Sequence, residues 1–201
     1  MSAGPLRLAL PAARHLAAQI VCSIRPVCQR IRVAGSVRRG CPTVGDIELL
    51  VIPKFSASLL PDVPGVSLLD LQLDALMKQG RLMRAWRGDT PMAELTCKDF
   101  YIGSLFKRGE LFKVQINISD FERWPVELAI KTGSAEFSHK LVTYRSQRDN
   151  PGFLPSHWRI GDGWKVYEYL GDGSERRLMF ASERDFIEAV CGAWIAPGKR
   201  D

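Results

Sequence analysis

The sequence predicts an α/β protein with a small C-terminal α+β lobe. As far as about residue 130, segments with the two-residue alternation of strands occur between segments with the three- and four-residue spacing of helices. After Gly133 the pattern changes to a helix and to loops rich in Pro and Gly. This change predicts two domains, residues 1–130 and residues 131–201.

The first predicted element is a helix between Pro11 and Pro26. Pro11 suits a first helical position, and Pro26 ends or kinks the helix. Residues 30–34 then alternate between Arg and apolar side chains, which predicts a short half-buried strand closed by Gly35 and a turn. The apolar face of the helix consists of Ala13, Leu16, Ala17, Ile20, Val21 and Ile24.

The second predicted strand is the segment DIELLVIP, residues 46–53. Its start alternates between charged and apolar residues, and its end is wholly apolar. The end should therefore be buried on both faces, with the start at an edge or a cleft. A loop over 56–67 and a helix over 68–78, ended by Gly80, come next. Three strand-like runs follow at about 93–98, 100–106 and 111–118.

Two helices with serine caps are predicted in the C-terminal part. Ser134 is the candidate cap of a helix that reaches about Arg145, and Ser182 that of a last helix over 183–194. Residues 148–163 are rich in Pro and Gly and predict loops. We expect the tryptophans in this part to pack in the core rather than stack on bases, because their neighbours are apolar. These are Trp124, Trp158, Trp164 and Trp194.

Composition and charge describe an ordinary folded chain. Its 201 residues are 46% hydrophobic and 25% charged, which excludes a disordered or collagen-like protein. The net charge of +6 favours nucleic acid or a nucleotide as partner, with a merely basic surface as an equal alternative. No apolar run approaches the roughly 18 residues that span a bilayer, so we expect no membrane association.

The cysteines and histidines indicate neither disulfides nor a histidine-based metal site. The five Cys are odd in number and contain no C-x-x-C pair, and the three His are widely scattered. A reducing compartment fits this usage best, so we expect a cytoplasmic protein.

A glycine-rich segment, GSVRRGCPTVG, begins at Gly35. Its glycines, Gly35, Gly40 and Gly45, permit close approach of the backbone to a ligand. Successive backbone N–H groups, together with Ser36 and Arg39, can hold phosphate oxygens. The alternative is an everyday Gly-Ser turn.

Two acids follow this segment at once. Asp46 and Glu48 are two residues apart on a predicted strand, so both carboxylates point to the same face. Two carboxylates on one face suit Mg²⁺, which itself bridges to substrate phosphates. A solvated strand face is the alternative when the two acids are considered alone.

Together these features resemble the nucleotidyltransferase signature, and the stretch GSVRRGCPTVGDIE resembles the palm motif of the family X DNA polymerases, the group of DNA polymerase beta. The strand RIRVAGS, the strand pair KDFYIGSLFKRGELFKVQINIS and the tail ASERDFIEAVCGAW are also similar to parts of that family. The segment AIKTGSAEFSHKL resembles the TGS turn that begins its nucleotide-binding lobe. The resemblance covers most of residues 5–195. It implies a polymerase beta-like palm with a mixed sheet over 1–130 and a nucleotide-binding lobe over 131–201.

The resemblance also implies roles for individual residues. Asp46 and Glu48 would bind Mg²⁺, or Mn²⁺, and a nucleic-acid 3′-hydroxyl on gapped or primer-template DNA would attack the α phosphate of a nucleoside triphosphate. The third catalytic position would be Gln115. The nucleotide-binding residues would be Gly35, Ser36, Arg39, Gly45, Thr132, Gly133 and Ser134.

Gln115 is the main departure from the family pattern, which has a carboxylate there. A Gln offers a neutral carbonyl oxygen and cannot take a proton, and loss of a positioned base costs about 10² to 10⁴ in rate. Rescue by Asp120 or Glu127 would need a bulge or a neighbouring strand. The aromatic pair before the TGS turn is replaced by Ile130 and Lys131, so a preference between ribo- and deoxyribonucleotides is not implied.

Three functions remain open on the sequence. The first is a slow, minimal polymerase-like enzyme, of a size that would suit a virus or phage genome. The second is a catalytically inactive module that binds nucleotide, nucleic acid or a protein. The third is a nucleotidyltransferase acting on a protein or small molecule, which needs only the first two acids. Cations that could follow a phosphate backbone are Arg84, Arg87, Lys98, Lys107, Arg108, Lys113, Lys140, Arg145 and Arg148.

Overall fold

The protein is a mixed α/β structure in two compact units, described here from a computed structural model that covers residues 6–57, 65–84, 97–102 and 112–201. The units are Met1–Ser119 and Asp120–Asp201. The sequence pattern placed the boundary after residue 130. The boundary lies earlier in the structure because the helix over Trp124–Thr132 packs with the last helix of the second unit.

The first unit contains a five-stranded mixed sheet in the order β2-β4-β7-β6-β5. Strand β4 pairs with β7 in parallel, and the other neighbours are antiparallel. A separate two-stranded pair joins β1 to β3. The elements are β1 (Leu8–Ala9), α1 (Leu10–Ile24), β2 (Cys28–Val33), α2 (Gly35–Arg39), β3 (Thr43–Val44), β4 (Asp46–Pro53), α3 (Leu68–Lys78), β5 (Met83–Arg84), β6 (Cys97–Ile102) and β7 (Phe112–Ile118).

The strongest sequence patterns of this unit are confirmed. Helix α1 carries Pro11 in its first turn and ends at Ile24, before a 3₁₀ turn that contains Pro26. Helix α3 begins after Ser67, whose hydroxyl accepts the N–H of Asp70. The core is a single cluster of apolar side chains from α1, α3, β4, β6 and β7.

Strand β4 lies inside the sheet, between β2 and β7. Asp46 and Glu48 are half-buried, and the strand is buried from Leu49 to Pro53. The predicted buried end is therefore confirmed, whereas the start is half-buried on an interior strand rather than at a sheet edge. The burial of Leu49 to Pro53 follows from the position of β4 inside the sheet, because an interior strand is covered on both faces wherever helices or loops lie over the sheet.

Two features of the first unit differ from the prediction, and one lies partly outside the described residues. Residues 35–39 form the short helix α2 rather than a turn. The two strand-like runs predicted at about 93–98 and 100–106 are not separate near residue 99, since β6 runs continuously over Cys97–Ile102. The parts of the predicted runs at 93–96 and 103–106 lie outside the described residues.

The second unit contains a three-stranded antiparallel sheet, in the order β10-β9-β8, and three helices. Its core includes side chains from every one of the three helices and from β9. Trp124 is buried, and the other three tryptophans of this unit pack against its core, so the predicted packing role is confirmed. The elements are α4 (Trp124–Thr132), α5 (Ala135–Val142), β8 (Trp158–Ile160), β9 (Val166–Tyr169), β10 (Glu175–Leu178) and α6 (Glu183–Cys191).

Both predicted serine caps are confirmed in the second unit. The Ser134 hydroxyl accepts the N–H of Phe137 at 3.1 Å, and the Ser182 hydroxyl accepts the N–H of Asp185 at 3.1 Å. Helix α6 ends earlier than predicted because Gly192 adopts a left-handed conformation, with φ of 81°. Across the described ranges, none of the helices has the length and apolar character needed to cross a bilayer.

Candidate functional site

The two acids of the glycine-rich motif lie at the start of the interior strand β4. Asp46 and Glu48 share one face of the strand and are half-buried. Ile47, between them, is fully buried on the opposite face. Because successive side chains of β4 point to opposite faces, Ile47 points into the core and both carboxylates point away from the core.

Glu48 lies directly against Gly35, the first residue of α2. A Cβ atom at position 35 would be 1.9 Å from Oε2 of Glu48, and the φ of Gly35 is +59°. Both observations favour glycine, because a Cβ would displace the carboxylate of Glu48 and the left-handed backbone disfavours a side chain. The N–H of Ala34 also donates to the carbonyl oxygen of Glu48 at 2.8 Å, which holds the start of the loop on β4.

The rest of the glycine-rich loop is closed by backbone hydrogen bonds. Gly40 ends α2 with a φ of 83°, and its N–H donates to the carbonyl oxygen of Ser36 at 3.1 Å. Strand β3 pairs with β1, and the N–H of Leu10 donates to the carbonyl oxygen of Pro42 at 3.1 Å. The loop is therefore fixed to β4 at one end and to the N-terminal segment at the other.

Ser36 has a buried hydroxyl with no hydrogen-bond partner among the described residues. Leaving a buried hydroxyl unsatisfied costs about 1–3 kcal/mol, so a ligand that hydrogen-bonds to this hydroxyl would recover that free energy. The adjoining Arg39 is half-buried at the end of α2. The unsatisfied hydroxyl of Ser36 fits a bound oxyanion, whereas the space at Gly35 is filled by the carboxylate of Glu48 itself.

Two arginines of the N-terminal segment also lie at this loop, and the sequence motif did not identify them. Arg7 donates from Nη2 to the carbonyl oxygen of Thr43 at 3.4 Å, and its Nη1 is 3.7 Å from where a Cβ of Gly45 would be. Arg14 has Nη2 at 3.8 Å from the corresponding point at Gly40. Their signal in the sequence is indirect: the first 45 residues contain seven Arg and no acid.

Gln115 lies directly opposite Glu48, on the neighbouring parallel strand β7. Its Nε2 donates to Oδ1 of Asp99 at 3.1 Å. Asp99 lies opposite Gln115 on β6, and its Oδ2 is 2.9 Å from Nζ of Lys113. The neighbouring strand β6 therefore brings a carboxylate beside Gln115, the predicted third catalytic position. This carboxylate belongs to Asp99 and not to Asp120 or Glu127.

The two acids that the sequence offered as substitutes are both in the second unit. Asp120 follows β7 and binds Arg123, from Oδ2 to Nε at 2.7 Å. Burial raises the pKa of Asp120, but the hydrogen bonds and charge of Arg123 outweigh it, so the pKa lies below its usual value. Glu127 is buried on α4. Neither residue belongs to β7 or to a strand beside it.

The donor set suits one hard divalent cation. Oxygen ligands from Asp46 and Glu48 are of the type that Mg²⁺ and Mn²⁺ prefer, and Mg²⁺ commonly binds through one or two carboxylates plus substrate phosphates. Within the part of the chain that the structure describes, no group of three His, Cys, Asp or Glu is arranged to hold a metal ion. A cation here would therefore depend on ligands from a bound phosphate.

The predicted TGS residues build the turn between α4 and α5 in the second unit. Thr132 is fully buried at the end of α4, and a Cβ at Gly133 would be 2.6 Å from the hydroxyl of Ser138. Ser134 caps α5, and its N–H donates to the carbonyl oxygen of Arg200 at 2.9 Å. In this unit the three residues thus form a tightly packed helix junction.

Several cations that the sequence suggested for a phosphate backbone are bound within the protein. Lys98 pairs with Asp70, Lys140 pairs with Glu136, and Arg145 donates to the carbonyl oxygen of Val190. These contacts reduce their availability to a ligand. Arg87, Lys107 and Arg108 lie outside the described residues.

Comparisons with known proteins add no family assignment. A search against protein-family models finds none that matches the chain. A search of the curated proteins finds no significant relative.

Proposed function

We propose that the protein has a nucleotidyltransferase fold like the palm of the family X DNA polymerases and transfers a nucleotide from a nucleoside triphosphate to a nucleic-acid 3′ end. The observation that carries this proposal is the cradle formed by Gly35 against the carboxylate of Glu48, beside the buried, unsatisfied hydroxyl of Ser36. A buried hydroxyl without a hydrogen-bond partner among the described residues favours a polar ligand such as a phosphate, and the close packing of Glu48 on Gly35 holds that carboxylate at the start of the same loop.

The loop residues would bind the triphosphate. Ser36, Arg39 and the backbone of Gly45 would hold its terminal phosphates, as the resemblance implies. Arg7 lies at Gly45 and would add a second guanidinium group to this binding surface. The protein would thereby fix the α phosphate in position and neutralise its charge, which are the main protein contributions to phosphoryl transfer.

Asp46 and Glu48 would hold a divalent cation that accompanies the triphosphate. When bound, such a cation neutralises phosphate charge and stabilises the leaving oxygen. In the transfer, the 3′-oxygen forms a bond to the α phosphorus, the bond from that phosphorus to the bridging oxygen breaks, and pyrophosphate leaves. The proton of the hydroxyl would pass to water, because the amide of Gln115 cannot accept it.

Gln115 also supports a second candidate, a module that binds nucleotide or nucleic acid without catalysis. Its amide is hydrogen-bonded to Asp99, and β7 offers no carboxylate at this position. A general base contributes about 10² to 10⁴ in rate. Binding of a nucleotide needs only the loop and the two acids, and would survive this loss.

Primer extension tests the proposal. A labelled primer on gapped and recessed templates, with Mg²⁺ or Mn²⁺, should be extended slowly by the natural protein and not at all by Asp46→Asn. Asp74→Asn is the matched control, since Asp74 is an exposed aspartate on α3. Equal extension by the natural protein and Asp46→Asn would contradict the site assignment.

The same reaction distinguishes the alternatives. If the natural protein binds the triphosphate but extends no primer, it is a binding module. If label from the nucleotide appears on protein instead of primer, the acceptor is a protein side chain. In both cases Asp46→Asn should still weaken binding of the metal–triphosphate.

A further inference from the structure

A row of three polar side chains crosses the first-unit sheet beside the candidate site. Glu48 on β4, Gln115 on β7 and Asp99 on β6 occupy directly opposite positions in the two strand pairings. Opposite residues on neighbouring strands project to the same face, with Cβ atoms about 4.5–5.5 Å apart. The carboxylate of Asp99 therefore lies one strand beyond the position that the sequence motif identifies.

The orientation of the Gln115 amide follows from its contact with Asp99. An ionised carboxylate can only accept hydrogen bonds, so the side of the amide that faces it must be the NH₂ group. Nε2 is indeed the atom 3.1 Å from Oδ1 of Asp99. The carbonyl oxygen Oε1 is the other end of the same amide and remains as an acceptor.

Lys113 balances the charge of Asp99. Its Nζ is 2.9 Å from Oδ2, the carboxylate oxygen that Gln115 does not contact. The side chain of Asp99 is only 8% exposed, whereas that of Lys113 is 29% exposed. The carboxylate of Asp99 is thus buried and paired with Lys113.

We infer that Asp99 is a positioning residue of the candidate metal–triphosphate site, which fixes Gln115 with its carbonyl oxygen offered as a neutral third ligand and keeps Lys113 paired. The inference rests on the proposed function, because it concerns the ligands of that same site. It deepens the proposal by setting the charge of the metal ligands: two carboxylates from Asp46 and Glu48, and a neutral oxygen from Gln115. Such a set suits a single divalent cation.

An exchange of the two side chains tests this inference. Gln115→Glu alone places a second carboxylate against Asp99, where the like charges repel. Asp99→Asn alone frees the amide of Gln115 to rotate and leaves Lys113 without its counter-charge. The double substitution, Gln115→Glu with Asp99→Asn, moves the carboxylate to β7 and keeps a hydrogen bond between the two residues.

We expect a non-additive pattern in Mn²⁺ binding, measured by titration calorimetry in the presence of a non-hydrolysable triphosphate. Each single substitution should weaken binding about tenfold, the usual cost of losing a residue that orients a ligand. The double substitution should bind at least as tightly as the natural protein. Asp70→Asn is the matched control, because it also breaks an Asp–Lys pair to β6, with Lys98, and should leave binding unchanged.

A second readout does not need the metal. In thermal unfolding without ligand, each single substitution should lower Tm by about 2–4 °C, and the double substitution should recover most of the loss. If Gln115→Glu alone tightens Mn²⁺ binding as much as the double substitution, Asp99 does not orient the amide, and the inference is overturned.

Failure of the inference can be told apart from failure of the proposed function. If Asp46→Asn abolishes Mn²⁺ binding while substitutions at Asp99 and Gln115 have independent effects, only the role of Asp99 is overturned. If Asp46→Asn leaves Mn²⁺ binding unchanged, the metal site itself is wrong, and both proposals are overturned.

Discussion

The two units of the protein differ most in how they carry charge. The first contains 16 Lys and Arg against 9 Asp and Glu, whereas the second contains 12 against 13. The positive surplus of the whole chain therefore belongs to the unit that holds the candidate site. Ion pairs between arginine and glutamate are frequent in the second unit: Arg159–Glu175, Arg176–Glu168, Arg177–Glu122 and Arg200–Glu183.

This difference indicates separate uses of arginine. In the second unit arginines stabilise the protein itself, by pairing with carboxylates across strands and within the core. In the first unit Arg7 and Arg14 lie at a glycine-rich loop that precedes the first two acids of the chain. An excess of one charge along such a loop is suited to a polyanionic ligand.

The largest effect should come from the buried ion pair of the second unit. Arg200 is 0% exposed, donates to Glu183 at 2.6 Å and lies over the ring of Trp194 at 4.8 Å. Arg200→Met removes the guanidinium group that pairs with the buried carboxylate of Glu183, so the free energy of unfolding should fall by about 3–5 kcal/mol. Urea unfolding followed by tryptophan fluorescence measures it, since four of the five Trp are in this unit.

Arg184→Met is the control for that measurement. Arg184 also lies over Trp194, at 5.2 Å, but its side chain is 61% exposed and its contact with Glu188 is 3.8 Å. Its loss should cost less than about 1 kcal/mol. If Arg200→Met and Arg184→Met lowered the free energy of unfolding equally, burial would not determine how much an arginine stabilises this unit.

The next effect concerns the glycine cradle of the first unit. Gly35→Ala forces a Cβ into the carboxylate of Glu48 at a φ of +59°, and should lower the free energy of unfolding by about 1–3 kcal/mol. Because Glu48 must move, Mn²⁺ binding with triphosphate should also weaken. Urea unfolding and titration calorimetry would measure the two consequences.

Gly80→Ala separates backbone strain from the clash with Glu48. Gly80 has a φ of +67° and no atom within 4 Å of the point where a Cβ would be. This variant should lose about 1 kcal/mol of stability and no metal affinity. If Gly35→Ala binds Mn²⁺ as well as Gly80→Ala does, the cradle has no role in ligand binding.

A smaller effect is expected on the salt dependence of oligonucleotide binding, which should differ between arginines of the two units. Arg7→Gln and Arg14→Gln should each reduce the salt dependence of binding to a single-stranded oligonucleotide, by about 0.7 in the slope of log K against log salt. Arg176→Gln should leave the slope unchanged, since Arg176 pairs with Glu168 in the second unit. Fluorescence anisotropy over a range of NaCl concentrations measures these slopes, and equal slopes would remove the proposed difference between the units.

The smallest effect should be the pH dependence from the exposed ion pairs of the second unit. Hydrogen bonds from Arg176 and Arg159 lower the pKa values of Glu168 and Glu175, respectively, below 4.5. A carboxyl with a lowered folded-state pKa stabilises the protein above its unfolded pKa, and this stability is lost as the pH falls through the folded value. Tm should therefore be constant from pH 8 to 5 and decline below about pH 4.5. The decline should be smaller in the double variant Glu168→Gln with Glu175→Gln.

Much of the fold could be predicted from local patterns, and the exceptions have physical reasons. Helices α1 and α3 and strands β4 and β7 have clear periodicity. Helix α4 has none, because seven of its nine residues are buried and the helix shows no polar face. Helix α2 spans only five residues, too few for a periodic pattern.

The candidate site could be predicted only where its residues share one segment. Asp46 and Glu48 lie two apart on β4, so their common face follows from strand geometry. Asp99 reaches Gln115 only through the register of β6 against β7, and Arg7 reaches Gly45 beside the pairing of β1 with β3. Such long-range registers leave no local trace in the sequence.

The parallel register between β4 and β7 also disfavours misaligned forms of the candidate site. A shift of β4 by one residue would turn Ile47 to the face of the candidate site and drive Asp46 and Glu48 into the apolar interior. Burying two unpartnered carboxylates is so unfavourable that a misaligned sheet would not persist. The register that packs the hydrophobic interior is therefore the same register that brings the two acids of the candidate site to one accessible face.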